Sequence, residues 1–424
     1  MKPMRLVLLS ILLVALTFSR IPLQANGLNL NGQGSKAIAM GGAFIGQADD
    51  YSAVFWNPAG LTQMKKTSFS LFGTVLIPTE TYKFATAAID AKTANKIYPS
   101  GSAGFFKPLS DKLVVGILAY VPAGSGAEWN GDDLKNLSYG KSLEWESMIA
   151  VITVSPAIAY KITDDLSLGA TLNINYGMLN LKKPALFSAY KLAAQYEEDS
   201  TAVGFGATIG LLFKPTDKLG IGLTLRTPSK IKFKGDASNG LAPILLKASA
   251  TSDIERDATW PMWIGGGISF KPVEKLTLNA DLQYTDWKKL DTIKATYTDA
   301  AWQTYFANGT IIDLRWKDKI QYRFGLEYKL SDQFALRGGY YYDPVVGPDE
   351  TFTILLPQFT YNVVTFGLGY RTEAISLDLA IEHLMGSDRT INPATFTNPL
   401  TDPGMPGIQG MQLWVPNISL TYRF

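Results

Sequence analysis

The chain ends Ile418-Ser419-Leu420-Thr421-Tyr422-Arg423-Phe424, an alternation of apolar and polar residues that closes on an aromatic ring, a cation and a second ring. Strict alternation is the signature of a strand with one greasy and one wet face. The Tyr422-Arg423 pair has six counterparts upstream: Phe106-Lys107, Tyr160-Lys161, Phe213-Lys214, Phe270-Lys271, Tyr328-Lys329 and Tyr370-Arg371. Each leads into a few turn formers and then a large apolar residue, as in Phe213-Lys214-Pro215-Thr216-Asp217-Lys218-Leu219. The pairs recur at intervals of roughly fifty residues, the length of two membrane strands, one short turn and one long loop.

Such a repeat has a physical cause. Rings at a membrane interface form a girdle, and the adjacent Lys or Arg reaches for headgroups and water. Seven pairs mark the ends of seven even-numbered strands, which predicts an all-β membrane protein with a 14-stranded antiparallel transmembrane β-barrel. Six short turns and seven long loops then make the thirteen connections. Even parity puts both ends of the barrel on the side of the short turns, the periplasmic side in outer-membrane barrels.

Between these marks the strands alternate. Thr171, Asn173 and Asn175 oppose Leu172, Ile174 and Tyr176, and Asn279, Asp281 and Gln283 oppose Leu278, Ala280, Leu282 and Tyr284. Arg323 and Glu327 oppose Tyr322, Phe324, Leu326 and Tyr328; Asp378 and Glu382 oppose Leu377, Leu379 and Ile381. Period alone does not separate a barrel with a polar lumen from a soluble sandwich with an apolar core. The girdle, the leader described below and the terminal Phe424 favour the barrel, because an alternating last strand ending on Phe resembles the signal read by the barrel assembly machinery. Expected spans include 112–122 for the third strand, 166–178 and 201–214 for the fifth and sixth, and 219–234 and 258–271 for the seventh and eighth. Two loop stretches, Phe187 to Glu198 and Asp299 to Phe306, read as locally helical.

Residues 1–25 carry Lys2 and Arg5, an apolar run from Leu6 to Phe18, and a small residue at Ala25. Charge, a short apolar core and a small residue make a secretory signal, and the run is too short to span a bilayer as a helix. No other window is long and apolar enough for a helical span. The absence of cysteine leaves no disulfide and no lipid anchor through cysteine, and 39 basic against 37 acidic residues provide no basic face for nucleic acid. The reading thus divides the chain into 1–25 as signal peptide, 26–64 as an N-terminal hatch and 65–424 as barrel.

The stretch from Asn26 to Met64 is no strand, since glycines at 27, 32, 34, 41, 42, 46 and 60 and Pro58 break any two-residue period. It still carries Met40, Phe44, Ile45, Phe55 and Trp56, so a compact, partly buried plug in the lumen is expected. With its Gly-rich start, its Ala48-Asp49-Asp50 step and Phe55-Trp56-Asn57-Pro58-Ala59-Gly60-Leu61, the stretch resembles the hatch of the FadL family of outer-membrane long-chain fatty acid transporters. The resemblance implies a 14-stranded barrel and a hatch triplet at Asn57, Pro58 and Ala59. It further implies a ligand passed from the outer loops to an inner pocket and out through a kink in the third strand. Here that strand ends Pro122-Ala123-Gly124-Ser125-Gly126, which could admit a break. Some relatives admit monoaromatic hydrocarbons instead of fatty acids.

A fourteen-stranded barrel is wider than one filled by its own side chains, so it needs something inside if it is not to leak. An apolar cavity with few polar groups suits an amphiphile better than a sugar or an ion. A fatty carboxylate needs a cation, and Arg226, Arg323 and Arg337 fall on inward faces, where each could instead pair with Asp281, Glu327, Asp378 or Glu382. Phe55 and Trp56 are candidate ligand contacts or simple packing. A general porin is an alternative, and an enzyme would have to use the single histidine, His383, beside Glu382 without any serine motif. No metal cluster and no cofactor is expected. The expected partners are a hydrophobic ligand, outer-membrane lipid and the assembly machinery, for a monomer in the bacterial outer membrane.

Overall fold

A computed structural model describes residues 27–30, 32–94, 96–392 and 405–424; the expected signal peptide lies outside the described residues. The wall is built from β1 (Ser68–Phe84), β2 (Tyr98–Pro108), β3 (Leu113–Trp129), β4 (Trp145–Lys161), β5 (Leu166–Phe187) and β6 (Leu192–Thr216). Then come β7 (Leu219–Arg226 and Ser229–Asn239), β8 (Thr251–Trp260 and Trp263–Val273), β9 (Leu276–Thr285) and β10 (Lys319–Lys329). The last four are β11 (Phe334–Asp343), β12 (Tyr361–Arg371), β13 (Ile375–Gly386) and β14 (Gly407–Arg423). β14 returns to β1 in a ladder from Ser68↔Arg423 to Lys83↔Ile408, which closes a 14-strand antiparallel barrel. Closure leaves no strand edge to meet lipid.

The aromatic and cation repeat locks each short turn to its neighbour. The backbone N–H of Lys161 donates to Lys112 O, that of Lys271 to Lys218 O, that of Arg371 to Gln333 O and that of Arg423 to Ala374 O, at 2.7 to 2.8 Å. Phe424 N donates to Thr67 O at 2.8 Å, so the end of the last strand is stitched to the start of the first.

Face assignment decides between barrel and sandwich. Leu172, Ile174, Tyr176, Leu278, Leu282, Tyr322, Phe324 and Leu326 are exposed, whereas Asn173, Asn279, Asp281, Gln283, Arg323 and Glu327 are buried. A water-soluble sandwich would reverse both sets, so the apolar band faces lipid. No helix among the described residues is long and apolar enough to cross a membrane.

Several strands outrun the expected spans. The fifth runs to Phe187 and the sixth starts at Leu192, because alternation continues above the apolar band, where Asn180, Lys182 and Pro184 replace the lipid-facing residues. The stretch expected to be helical from Phe187 to Glu198 is therefore a correction: one turn of 3-10 helix at Ser188–Tyr190 closes a hairpin, with Lys191 at φ 50. Ala, Leu, Gln and Glu favour helix locally, but cross-strand pairing and burial of Tyr196 and Glu198 override that preference. The second expectation stands, as Ala300–Phe306 is helical and Asp299 caps it by accepting from Ala301 N and Trp302 N.

Three strands break in the outer half. Pro122 does not end β3 but shifts its register against β4 between Tyr120 and Ala123. β2 pairs with β3 only from Ser102↔Tyr120 to Pro108↔Val114. Above that level the free edge of β3 is taken by the N-terminal segment: Leu30 N donates to Pro122 O at 3.0 Å and Gly124 N to Leu28 O at 2.7 Å. β7 and β8 are interrupted at Thr227-Pro228 and at Pro261-Met262.

Residues 32–62 are buried almost throughout, against inward-facing side chains of the wall. Phe44 N and Ile45 N donate to Asp281 Oδ2 at 2.8 and 3.0 Å. Asn279 Nδ2 donates to Ala43 O at 2.7 Å and Gln283 Nε2 to Gly42 O at 3.3 Å. The polar face of β9 thus satisfies backbone groups that have no helix or sheet to pair with. Ser419 Oγ receives Ser35 N from the opposite wall at 2.8 Å, and Thr365 Oγ1 donates to Ala39 O at 2.9 Å. Where the segment comes nearest, the wall carries glycine: a Cβ on Gly222 would stand 2.0 Å from Ile45 O, one on Gly339 2.1 Å from Gly41 N, and one on Gly169 2.2 Å from Pro58 C.

Candidate functional site

The triplet lies where the segment touches β5 and β6. Asn57 is fully buried; its Nδ2 donates to Ile45 O and to Leu211 O, both at 3.0 Å, and its Oδ1 accepts from Ala59 N at 3.2 Å. One side chain thereby joins two parts of the segment to the wall. Pro58 opens the 3-10 turn Pro58–Gln63 that carries the chain out towards β1.

The three inward arginines have different surroundings. Arg337 donates to Glu327 Oε2 at 2.7 Å and to Asp378 Oδ1 at 2.6 Å, so its charge is spent. Lys36 extends that network, 2.8 Å from Asp49 and 3.8 Å from Glu327. These groups line a charged cavity of about 340 Å³ at the short-turn mouth, a poor seat for an apolar chain. Arg323 donates to Gly41 O at 3.0 Å and to Gln321 Oε1 at 3.1 Å, and lies 4.2 Å from the Tyr341 ring centroid and 5.7 Å from that of Trp56.

Arg226 is built differently. It donates to Phe55 O at 2.9 Å and rests 4.5 Å from the Phe55 ring and 5.2 Å from the Trp263 ring. Its Nε is buried without a hydrogen-bond partner, and among the described residues no carboxylate forms an ion pair with it. Phe55 packs edge-on against Trp56 at 4.8 Å and Tyr120 at 5.9 Å, and Trp56 Nε1 donates to Gln33 O at 2.9 Å. Small cavities of about 20 and 30 Å³ flank the guanidinium, one beside Leu30 and Trp56, the other beside Pro122, Thr227 and Pro261.

A larger cavity of about 390 Å³ opens among the outer loops, lined chiefly by Trp145, Ile149, Leu179, Lys183, Ile312 and Leu355. Lys183 stands above the apolar band, donates to Gly309 O at 2.7 Å, and is pushed down to about 8 by burial and by the nearby Arg256. Arg256 itself is tied to Glu198 through Nε and Nη2, both at 2.7 Å. Nothing in the sequence reading singled out Lys183, Arg256 or this cavity, because their loops are far apart in the chain. His383 offers no dyad: it stacks on Trp414 of β14 at 3.9 Å, while Glu382 points the other way into the lumen. Among the described residues no group of three or more His, Asp or Glu is arranged to hold a metal ion.

A closed barrel with lipid-facing rings, short turns at one end and ring-lined cation sites within defines an outer-membrane channel for hydrophobic compounds. Family comparison makes this specific. The family described as outer membrane protein transport protein (OMPP1/FadL/TodX) matches residues 16–424, and the chain belongs to it. Outer membrane protein P1 of Haemophilus influenzae is 22% identical, over 82% of this chain and 83% of that protein. The long-chain fatty acid transport protein of Salmonella typhi is 23% identical over 91% and 94% respectively. Among solved structures, a Pseudomonas aeruginosa FadL homologue superposes with a TM-score of 0.78 at 17% identity, covering 94% of this chain and all of that one. The Pseudomonas putida toluene transporter TodX reaches 0.75 at 19% identity with the same coverage.

Proposed function

We propose that this protein takes up long-chain fatty acids passively, with residues 26–64 acting as a hatch and the ligand leaving sideways between β2 and β3. The observation that carries the reading is Arg226: a half-buried cation between aromatic rings, its Nε without a hydrogen-bond partner and with no ion pair among the described residues, calls for an anion with an apolar tail. A neutral hydrocarbon would leave that charge uncompensated. The same rings suit a monoaromatic hydrocarbon, the cargo named for TodX, and this is the second reading.

The route begins in the outer cavity, whose apolar lining takes the tail while Lys183 takes the carboxylate. It continues to Arg226, where Phe55 and Trp56 serve as contacts. The cavities there are smaller than any such ligand, so binding requires movement. Residues 28–30 are the piece to move, because they fill the gap that β2 leaves beside β3 and are held by few hydrogen bonds. Their withdrawal would join the two small cavities and bare the wall at Pro122. Arg323 shares this chamber, whereas Arg337 serves to fasten the hatch. The likeness of the terminal strand to an assembly signal extends the proposal to insertion through Phe424, and a plugged barrel needs no second copy to close it.

Two measurements test the reading. Lipid extracted from the purified protein should contain fatty acid, and the amount retained should fall in Arg226→Gln but not in Arg226→Lys. Titration with oleate should change Trp56 fluorescence, read against Trp56→Phe. Sugar-induced swelling of liposomes bearing the intact protein would instead point to a general porin, and retention of neutral aromatics regardless of Arg226 would favour the hydrocarbon reading.

A further inference from the structure

The interruptions of β7 and β8 face each other. Below them Arg226 pairs with Trp263, above them Ser229 pairs with Trp260, and the register is the same on both sides. Thr227 therefore stands opposite Met262, and Pro228 opposite Pro261. Proline has no N–H to give a ladder and is rare inside a sheet. Two of them face to face leave a stretch of seam with no donor on either strand except Thr227 N and Met262 N, and Thr227 N is turned to Ala207 O on the other side at 2.9 Å.

Both strands also exchange faces here. In β7 the exposed residues are Ile221 and Leu223 below the break but Lys230, Lys232 and Lys234 above it. In β8 they are Ile264 and Ile268 below, and Asp253 and Asp257 above. The seam thus lies at the outer rim of the apolar band, where headgroups and water can solvate carbonyls that would be costly deeper in lipid. On β6, along the other edge of β7, Val203 and Phe205 are 57% and 62% exposed and face lipid at the same level. On the inner side of the seam is the cavity of about 30 Å³ that Gly206, Thr227 and Pro261 share with Arg226.

We propose that the β7–β8 seam is a second lateral portal, through which the tail of an anionic amphiphile passes between the outer leaflet and the Arg226 chamber. The proposal rests on the reading of Arg226 as a carboxylate site, and it adds a route distinct from the one beside β3. The head stays with the guanidinium, and the tail threads between Pro228 and Pro261 into the bilayer.

The test uses the full protein in lipid nanodiscs and two fatty acids, one with a diazirine beside the carboxylate and one with a diazirine part-way along the tail. The first should crosslink to Phe55 and the second to Pro228, Pro261 or Met262, and the seam crosslinks should be lost in Arg226→Gln. They should also be lost when Thr227→Cys and Met262→Cys are joined by oxidation, and return on reduction; the chain has no cysteine of its own to interfere. Labelling of Phe55 and Tyr120 without the seam overturns this proposal and leaves the Arg226 site intact. Seam labelling that persists unchanged in Arg226→Gln comes from bulk lipid and overturns it too. Absence of labelling at Phe55, Tyr120 and the seam alike defeats the Arg226 reading itself.

Discussion

Arg337 and Arg226 both point into the same lumen, yet one is held between Glu327 and Asp378, while the other rests on Phe55, Trp263 and a carbonyl and forms no ion pair among the described residues. The first sits among charges at the short-turn mouth, the second between rings at the level of the wall breaks. A compensated charge ties elements together, while an uncompensated one stays available to a ligand. The contrast separates a fastening arginine from the one proposed to bind ligand, in a chamber whose sequence shows three look-alike arginines.

The largest effect should come from Arg337→Leu, which leaves Asp378 without its ion-pair partner and Glu327 with only Lys36 at 3.8 Å, at a cost of roughly 3–5 kcal/mol. Its denaturant midpoint should drop well below that of the parent, whereas Arg226→Leu should match or exceed the parent; equal losses in both would erase the distinction. In the other direction, Arg226→Gln should weaken fatty-acid binding by about 2 kcal/mol, the range of a charge-assisted hydrogen bond, and Arg337→Gln should not act through the ligand. Calorimetry with oleate compares the two.

Gly222→Val probes the proposed hatch. The added side chain meets Ile45 O, an overpacking penalty of about 1–3 kcal/mol that the segment can escape by leaving the lumen. Single-channel recordings should then show a leak that the parent lacks, and a tight barrel would argue that the segment is not what closes it. The smallest effect concerns Lys183. With its pKa near 8, the ammonium is charged below that pH and neutral above it, so carboxylate capture in the outer cavity should fall as pH rises through 8, by roughly 1 kcal/mol for a half-exposed pair. Lys183→Met should abolish the pH slope and leave the Arg226 site unaltered.

Much of the barrel was readable because a membrane strand repeats locally. Asn279, Asp281 and Gln283 announce an inward face two residues at a time, and each aromatic and cation pair marks a turn. The hairpin at Ser188–Tyr190 was misread as helix because its residues favour helix when taken alone, and only the pairing of β5 with β6 overrules them. Gly169, Gly222 and Gly339 sit at inward positions, which alternation could have exposed as places where another chain comes close.

What the sequence determined by itself was the wall, its strand number and which face meets lipid, since each follows from neighbours a few residues apart. Tertiary structure decided which inward arginine forms no ion pair among the described residues, that Pro228 meets Pro261, and that residues 28–30 occupy the edge of β3. Those outcomes depend on groups tens to hundreds of residues apart being brought within a few ångströms, and charge pairing and backbone hydrogen bonding act only at that range.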